Sequence, residues 1–172
     1  MNKILIIGGN GSGKTTFAQK LSQKLNIPLI HLDKIYWKDN WKHITKEEFD
    51  KKLMVELEKD SWIMDGNMKR TFPLRLKYCD TVIVFDFPRY LCLFGAVKRS
   101  ILNYGKSRSD MGGICPEKLD FRFYKSIWKN TKIMMDDFYK EIKMSENIKL
   151  IVFKNRKETK RFLKNISTTF LG

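Results

Sequence analysis

Residues Gly8-Gly9-Asn10-Gly11-Ser12-Gly13-Lys14-Thr15 spell G-x-x-x-x-G-K-T, and their flanks restrict what the chain can fold into. Lys3-Ile4-Leu5-Ile6-Ile7 before them is a short apolar run suited to a buried strand. After them, Phe17, Leu21 and Leu25 recur at helical spacing with Ala18 beside them, while Gln and Lys fill the other face. Strand, glycine-rich turn, helix is the context in which this pattern forms a phosphate-binding loop. Glycines let backbone N–H groups close around phosphate oxygens, and the helix start adds unpaired donors and a positive dipole end. Gly8, Gly9, Asn10, Gly11, Ser12, Gly13, Lys14, Thr15 and Thr16 are therefore the expected nucleotide-binding residues. Lys14 is expected on the β- and γ-phosphates of ATP, and the Thr15 hydroxyl on Mg²⁺.

Strand and helix patterns alternate along the rest of the chain. Further strands are expected at 28–32, 62–64, 81–85 and 148–153, the run Thr81-Val82-Ile83-Val84-Phe85 being the clearest. Thr45-Lys46-Glu47-Glu48 has the form of a capping box and opens a helix carrying Phe49, Leu53, Met54, Val55 and Leu57. Other helices are expected over 89–103, 117–143 and 156–166, and an aromatic loop with Tyr36, Trp37 and Trp41 over 34–42. Residues 104–116 lack apolar periodicity; long irregular stretches of this kind commonly serve as lids. Five strands with helices between them imply one α/β domain over 1–172, a parallel sheet covered on both faces, with the lid within about 99–122.

Composition narrows the function classes. The chain has 172 residues, 42% of them hydrophobic, enough for one packed core. No apolar stretch reaches the roughly 18 residues that span a bilayer, and the first strand starts almost at Met1, so a membrane segment or leader peptide is not expected. Cys79, Cys92 and Cys115 are widely spaced and only His31 and His43 join them, so reduced thiols in a cytoplasmic protein are expected rather than a zinc site. A net charge of +15 permits nucleic-acid contact, although a lysine-rich surface accounts for it as well.

Ligands in such sheets gather at the carboxyl ends of the strands. The second strand ends at His31 and Asp33, the third at Asp65-Gly66-Asn67, the fourth at Asp86 and Arg89. Asp65 is expected to hold Mg²⁺ through water; the bland alternative is an Asp-Gly turn. Asp33 is expected to orient or deprotonate an acceptor hydroxyl; the alternative is a helix cap. Arg70 and Arg75 follow Asp65, Arg99 precedes the irregular stretch, and Arg108 and Arg122 lie in or beyond it, where transferring phosphate needs cations. Tyr36, Trp37 and Asn67 complete the acceptor-side candidates, the aromatic rings suited either to stacking on a base or to covering the core.

Asp65-Gly66-Asn67-Met68-Lys69-Arg70-Thr71 resembles the Asp-Gly-Phe-Pro-Arg-Thr segment of adenylate kinases with one residue inserted. Val84-Phe85-Asp86-Phe87-Pro88 resembles their fourth strand and its exit. His31-Leu32-Asp33, Tyr36-Trp37, Trp41, Trp62 to Asn67, Asp110-Met111 and Cys115-Pro116-Glu117 resemble, over nearly the whole chain, bacterial adenylate-kinase-like proteins labelled DNA topology modulation proteins. The resemblance implies a P-loop kinase sandwich with sheet order 2-3-1-4-5, ATP and Mg²⁺. It also implies an acceptor-phosphate role for Arg70 and a lid-base role near ATP for Arg99. The chain departs from the adenylate kinase pattern at Asn67-Met68-Lys69 and in its 31–41 segment, so the acceptor need not be AMP.

The leading expectation is a phosphotransferase moving a phosphoryl group from Mg-ATP to a small acceptor, with Lys14, Arg99, Asp33 and Arg108 in the chemistry. Asp33, Tyr36, Trp37, Asn67, Arg70 and Arg75 are expected on the acceptor, and Thr15 and Asp65 on the metal. A DNA-associated regulatory ATPase is the rival, and either a monomer or a homodimer is compatible with the sequence.

Overall fold

The structure is a computed structural model that describes residues 1–169, with side chains to 166. Five strands, β1 (Lys3–Gly8), β2 (Leu29–His31), β3 (Trp62–Asp65), β4 (Thr81–Phe85) and β5 (Lys149–Phe153), form one parallel sheet in the order β2-β3-β1-β4-β5. Seven helices connect and flank them: α1 (Lys14–Leu25), α2 (Leu32–Tyr36), α3 (Lys46–Leu57), α4 (Phe72–Leu76), α5 (Arg89–Leu102), α6 (Phe121–Lys143) and α7 (Arg156–Thr169).

Strand alternation divides the core. Ile4 and Ile6 of β1 face Phe17, Ala18 and Leu21 of α1, Cys92 and Ala96 of α5 and Ile166 of α7. Leu5 and Ile7 face Phe49, Leu53 and Leu57 of α3 and Phe72 and Leu76 of α4. All four β1 side chains are fully buried, which is why this strand reads as an unbroken apolar run rather than an alternating one. α6 serves both layers, with Tyr124 and Ile127 in the first and Met135, Phe138 and Ile142 in the second.

The capping box forms as expected. Glu48 N donates to Thr45 Oγ1 at 3.1 Å and Thr45 N to Glu48 Oε2 at 3.0 Å. Elsewhere the local pattern misled. The aromatic stretch begins as helix α2, so Asp33 sits in a helical first turn rather than on a strand end. α4 is too short to show periodicity and escaped notice. α6 begins at Phe121, capped by Asp120 Oδ1, which accepts from Arg122 N and Phe123 N, so Glu117 belongs to the loop. Phe94, Ile101 and Leu102 of α5 and Val55 of α3 point outward despite their apolar character. All three cysteines are free thiols. Among the described residues no helix is long and apolar enough to cross a membrane.

Candidate active site

The sheet register places the functional ends side by side. Asp65 lies opposite both Ile6 of β1 and His31 of β2, and Gly8 lies opposite Phe85 of β4. Strand order reverses around β1, so the loop at its end opens into a crevice between neighbouring strand ends.

In that loop Gly13 has φ +98° and a side chain there would enter open space, so backbone conformation alone demands glycine. Ser12 Oγ is buried without a hydrogen-bond partner. The Lys14 ammonium is buried and donates to Gly8 O at 2.8 Å and Gly9 O at 2.9 Å. Burial lowers its pKa, while Asp65, Cys92 and Asp33 resist the fall. An orphaned hydroxyl and a lysine folded onto carbonyls are groups that phosphate oxygens would satisfy, so the loop fits a polyphosphate.

Thr15 Oγ1 donates to Asp65 Oδ2 at 2.7 Å, and His31 Nδ1 stands 3.3 Å from the same oxygen. No cluster of three or more ligating His, Cys, Asp or Glu side chains exists among the described residues. A Mg²⁺ ion here would take its remaining ligands from phosphate and water, its usual manner of binding beside nucleotides. The Asp33 carboxylate makes no hydrogen bond or ion pair among the described residues, while its backbone carbonyl accepts from Trp37 N at 3.0 Å. Burial raises its pKa; Arg108 and Lys14 oppose that, and Asp65 and Asp110 add to it, so these groups share one electrostatic neighbourhood.

Residues 103–120 connect α5 to α6, where the sequence leads one to expect a lid, and a buried carboxylate organises this segment. Arg108 Nη1 donates to Glu117 Oε1 at 3.1 Å, Arg99 Nε lies 3.1 Å from that oxygen, and Ser100 Oγ donates to Oε2 at 3.1 Å. Arg108 Nε is also 3.0 Å from Asp110 Oδ1. Neither Nε has hydrogen-bond geometry, so both contacts are ion pairs. Burial, then Arg108, lowers the Arg99 pKa, and Glu117 resists.

The lid is docked on the segment after Asp33. Asn40 N donates to Ile114 O at 2.9 Å, Ile114 N to Asp39 Oδ1 at 2.6 Å, and Trp41 Nε1 to Pro116 O at 3.3 Å. Gly112 is pressed so closely that a Cβ would stand 2.2 Å from the carbonyls of Lys34 and Trp37. Asn40 and Trp41 adopt left-handed backbone, at φ 57° and 59°, where those lid bonds hold them. Tyr36 and Trp37 meet edge-on at 4.9 Å, Tyr36 stacks on His43 at 5.0 Å, and Trp37 meets Trp41. Their faces are engaged with neighbouring rings.

Three side chains expected on the acceptor have partners within the protein. Asn67 braces the phosphate loop: Gly8 N donates to its Oδ1 at 3.1 Å, and its Nδ2 donates to Gly8 O at 2.9 Å. Arg75 is wholly buried and donates to the carbonyls of Gly66, Asn67 and Met68 at 3.1, 2.7 and 3.0 Å. It thereby holds the Asp65 loop, where Met68 has φ 21°. Burial pushes its pKa down to about 9, which leaves it charged at neutral pH. Arg70 forms a two-bond pair with Asp50 of α3 at 2.9 and 2.7 Å on the surface. Thr16 and Asn10 are exposed at the loop's rim, and Gly9 and Gly11 pack toward Cys92 of α5. Glu117 and Asp110 stood in the sequence only among the residues of the resemblance, with no role of their own, because neither lies in a local pattern; folding of the 103–120 segment brings them to the arginines.

The class this architecture defines is the P-loop kinase-like sandwich. Shikimate kinase from Acinetobacter baumannii, in complex with shikimate, is similar with a TM-score of 0.60 and 14% identity, over 100% of this chain and 96% of that one. Shikimate kinase from Aquifex aeolicus vf5 gives 0.56 and 17% over 98% and 96%, and a sugar kinase from Janibacter 0.54 and 14% over 96% and 91%. At these identities the likeness is one of fold. No protein-family model matches the sequence, and no curated protein matches it.

Proposed function

We propose that this chain is an ATP-dependent phosphotransferase acting on a small hydroxyl acceptor. The observation that carries the reading is Asp33: an unpartnered carboxylate with raised affinity for a proton, near Lys14, Asp65 and Arg108, under a lid docked on the segment that follows it. Kinase folds among the similar structures support the same reading.

On this reading Lys14 exchanges the Gly8 and Gly9 carbonyls for phosphate oxygens, and the Ser12 hydroxyl finds its missing partner there. Thr15 and Asp65 would hold Mg²⁺, which would offset phosphate charge when bound. Arg99 and Arg108 meet the charge of the transferring group from the lid side. Asp33 orients the acceptor hydroxyl and takes its proton as the oxygen bonds to the γ-phosphorus; the bridging bond breaks and its electron pair leaves with ADP. Docking of the lid excludes water and favours transfer over hydrolysis.

The test is ADP formation with and without hydroxyl acceptors, using wild type and Lys14→Ala. The variant is expected to lose on the order of 10² or more in turnover, the scale of losing a preorganised charge contact. Full turnover in Lys14→Ala would overturn the reading. The rival DNA-associated ATPase has the +15 charge behind it, and predicts DNA-stimulated hydrolysis and steeply salt-dependent DNA binding.

A further inference from the structure

We propose that the acceptor carries no anionic group: it is an uncharged or ammonium-bearing hydroxyl compound, not a nucleoside monophosphate, sugar phosphate or hydroxy acid. This rests on the phosphotransferase reading and narrows it.

An anionic acceptor needs a cation that is free to face it in an enclosed site. The arginines nearest the acceptor side are already engaged. Arg75 is buried and committed to three backbone carbonyls. Arg70 lies outside the crevice on the carboxylate of Asp50. Arg99 and Arg108 share Glu117, and Arg108 also holds Asp110. Lys14 lies on the phosphate loop.

Two acids stand on the acceptor side. The Asp33 carboxylate has no hydrogen bond or ion pair among the described residues, and Asp110 is buried beside the Arg108 guanidinium, both within electrostatic reach of Asp33. A phosphate or carboxylate on the acceptor would approach these carboxylates with the γ-phosphate already present. Hydroxyl donors, or an ammonium group, would instead satisfy Asp33.

The experiment compares matched acceptors with Mg-ATP: glucose, glucosamine, glucose 6-phosphate and gluconate, and a nucleoside with its 5′-monophosphate. ADP formation above background is measured, and quenching of Trp37 and Trp41 fluorescence with ADP present reports binding separately. In each set the non-anionic member is expected to lead in kcat/KM by about tenfold or more, the scale of one unfavourable charge contact. Equal or reversed preference overturns this inference and leaves the phosphotransferase reading standing. If no hydroxyl compound of any charge raises ADP formation, the phosphotransferase reading falls and the inference with it. Asp110→Asn is expected to narrow the ratio several-fold; an unchanged ratio refutes the assignment of the discrimination to these carboxylates.

Discussion

Asn67→Ala separates a brace from a substrate contact. The Asn67 amide forms two bonds with the Gly8 peptide, accepting from its N–H at 3.1 Å and donating to its carbonyl at 2.9 Å. Truncation leaves the two groups in different situations. The Gly8 carbonyl keeps the Lys14 ammonium at 2.8 Å, whereas the Gly8 N–H loses its partner in a part-buried site. With about 1 kcal/mol net for each lost bond, and somewhat more for a donor left unpaired, the cost is about 2–3 kcal/mol. For a chain of this size, that lowers Tm by roughly 4–10 °C. The brace also holds the first glycine of the phosphate loop, so ATP is expected to raise the variant's Tm less than it raises that of the wild type. Asn67→Asp is the sharper control. It keeps an acceptor for the N–H but turns a carboxylate oxygen toward the Gly8 carbonyl, so it is expected to be no more stable than the alanine variant. Thermal melts of the three proteins, with and without ATP, make the measurement. An unchanged Tm, with an effect confined to the acceptor KM, would refute the bracing role.

Asp33→Asn is expected to abolish transfer and yet raise Tm at neutral pH, because it removes a desolvated charge. The sign follows from the raised folded pKa. Below the ordinary carboxylate range Asp33 is protonated in both states and the gain vanishes. As pH rises the unfolded chain ionises first, so the gain grows until the folded pKa is passed. A lower Tm for the variant at neutral pH contradicts this. Glu117→Gln leaves two half-buried guanidiniums with Asp110 as their remaining counter-charge and is expected to lose about 1–2 kcal/mol, less than a fully buried pair would. Pyrophosphate or ATP should restore more of the variant's Tm than it adds to the wild type; equal increments would detach Glu117 from the phosphate-facing arginines.

The site was legible in the sequence to different depths. The phosphate loop could be read because its residues lie consecutively, and loop conformation depends on glycines within a few bonds of one another. Asp65 could be placed from its strand end, since a parallel sheet sets its carboxyl ends at one edge; Asp33 was assigned to such an end but lies in the first turn of α2 just beyond it. The arginines were read by proximity, and Arg70 and Arg99 also by resemblance; neither shows which partner a side chain takes. Arg75 stands ten residues from Asp65 in sequence and is buried under its loop, while Arg70 closes a surface pair with Asp50.

By itself the sequence determined the five strands, the five longer helices and the phosphate loop, because hydrophobic period and glycine conformation are local properties. It also carried the alternation that sends Ile4 and Ile6 to one layer and Leu5 and Ile7 to the other. Only the tertiary structure decided which polar groups are spent and which are free. Asn67 reaches Gly8 across 59 positions and Trp41 reaches Pro116 across 75. Arg99 and Arg108, on either side of the lid's first turn, converge on Glu117, which the sequence assigned to a helix. A hydrogen bond or ion pair satisfies a group only through the partner that folding delivers, and nothing in the spacing of the chain names that partner in advance.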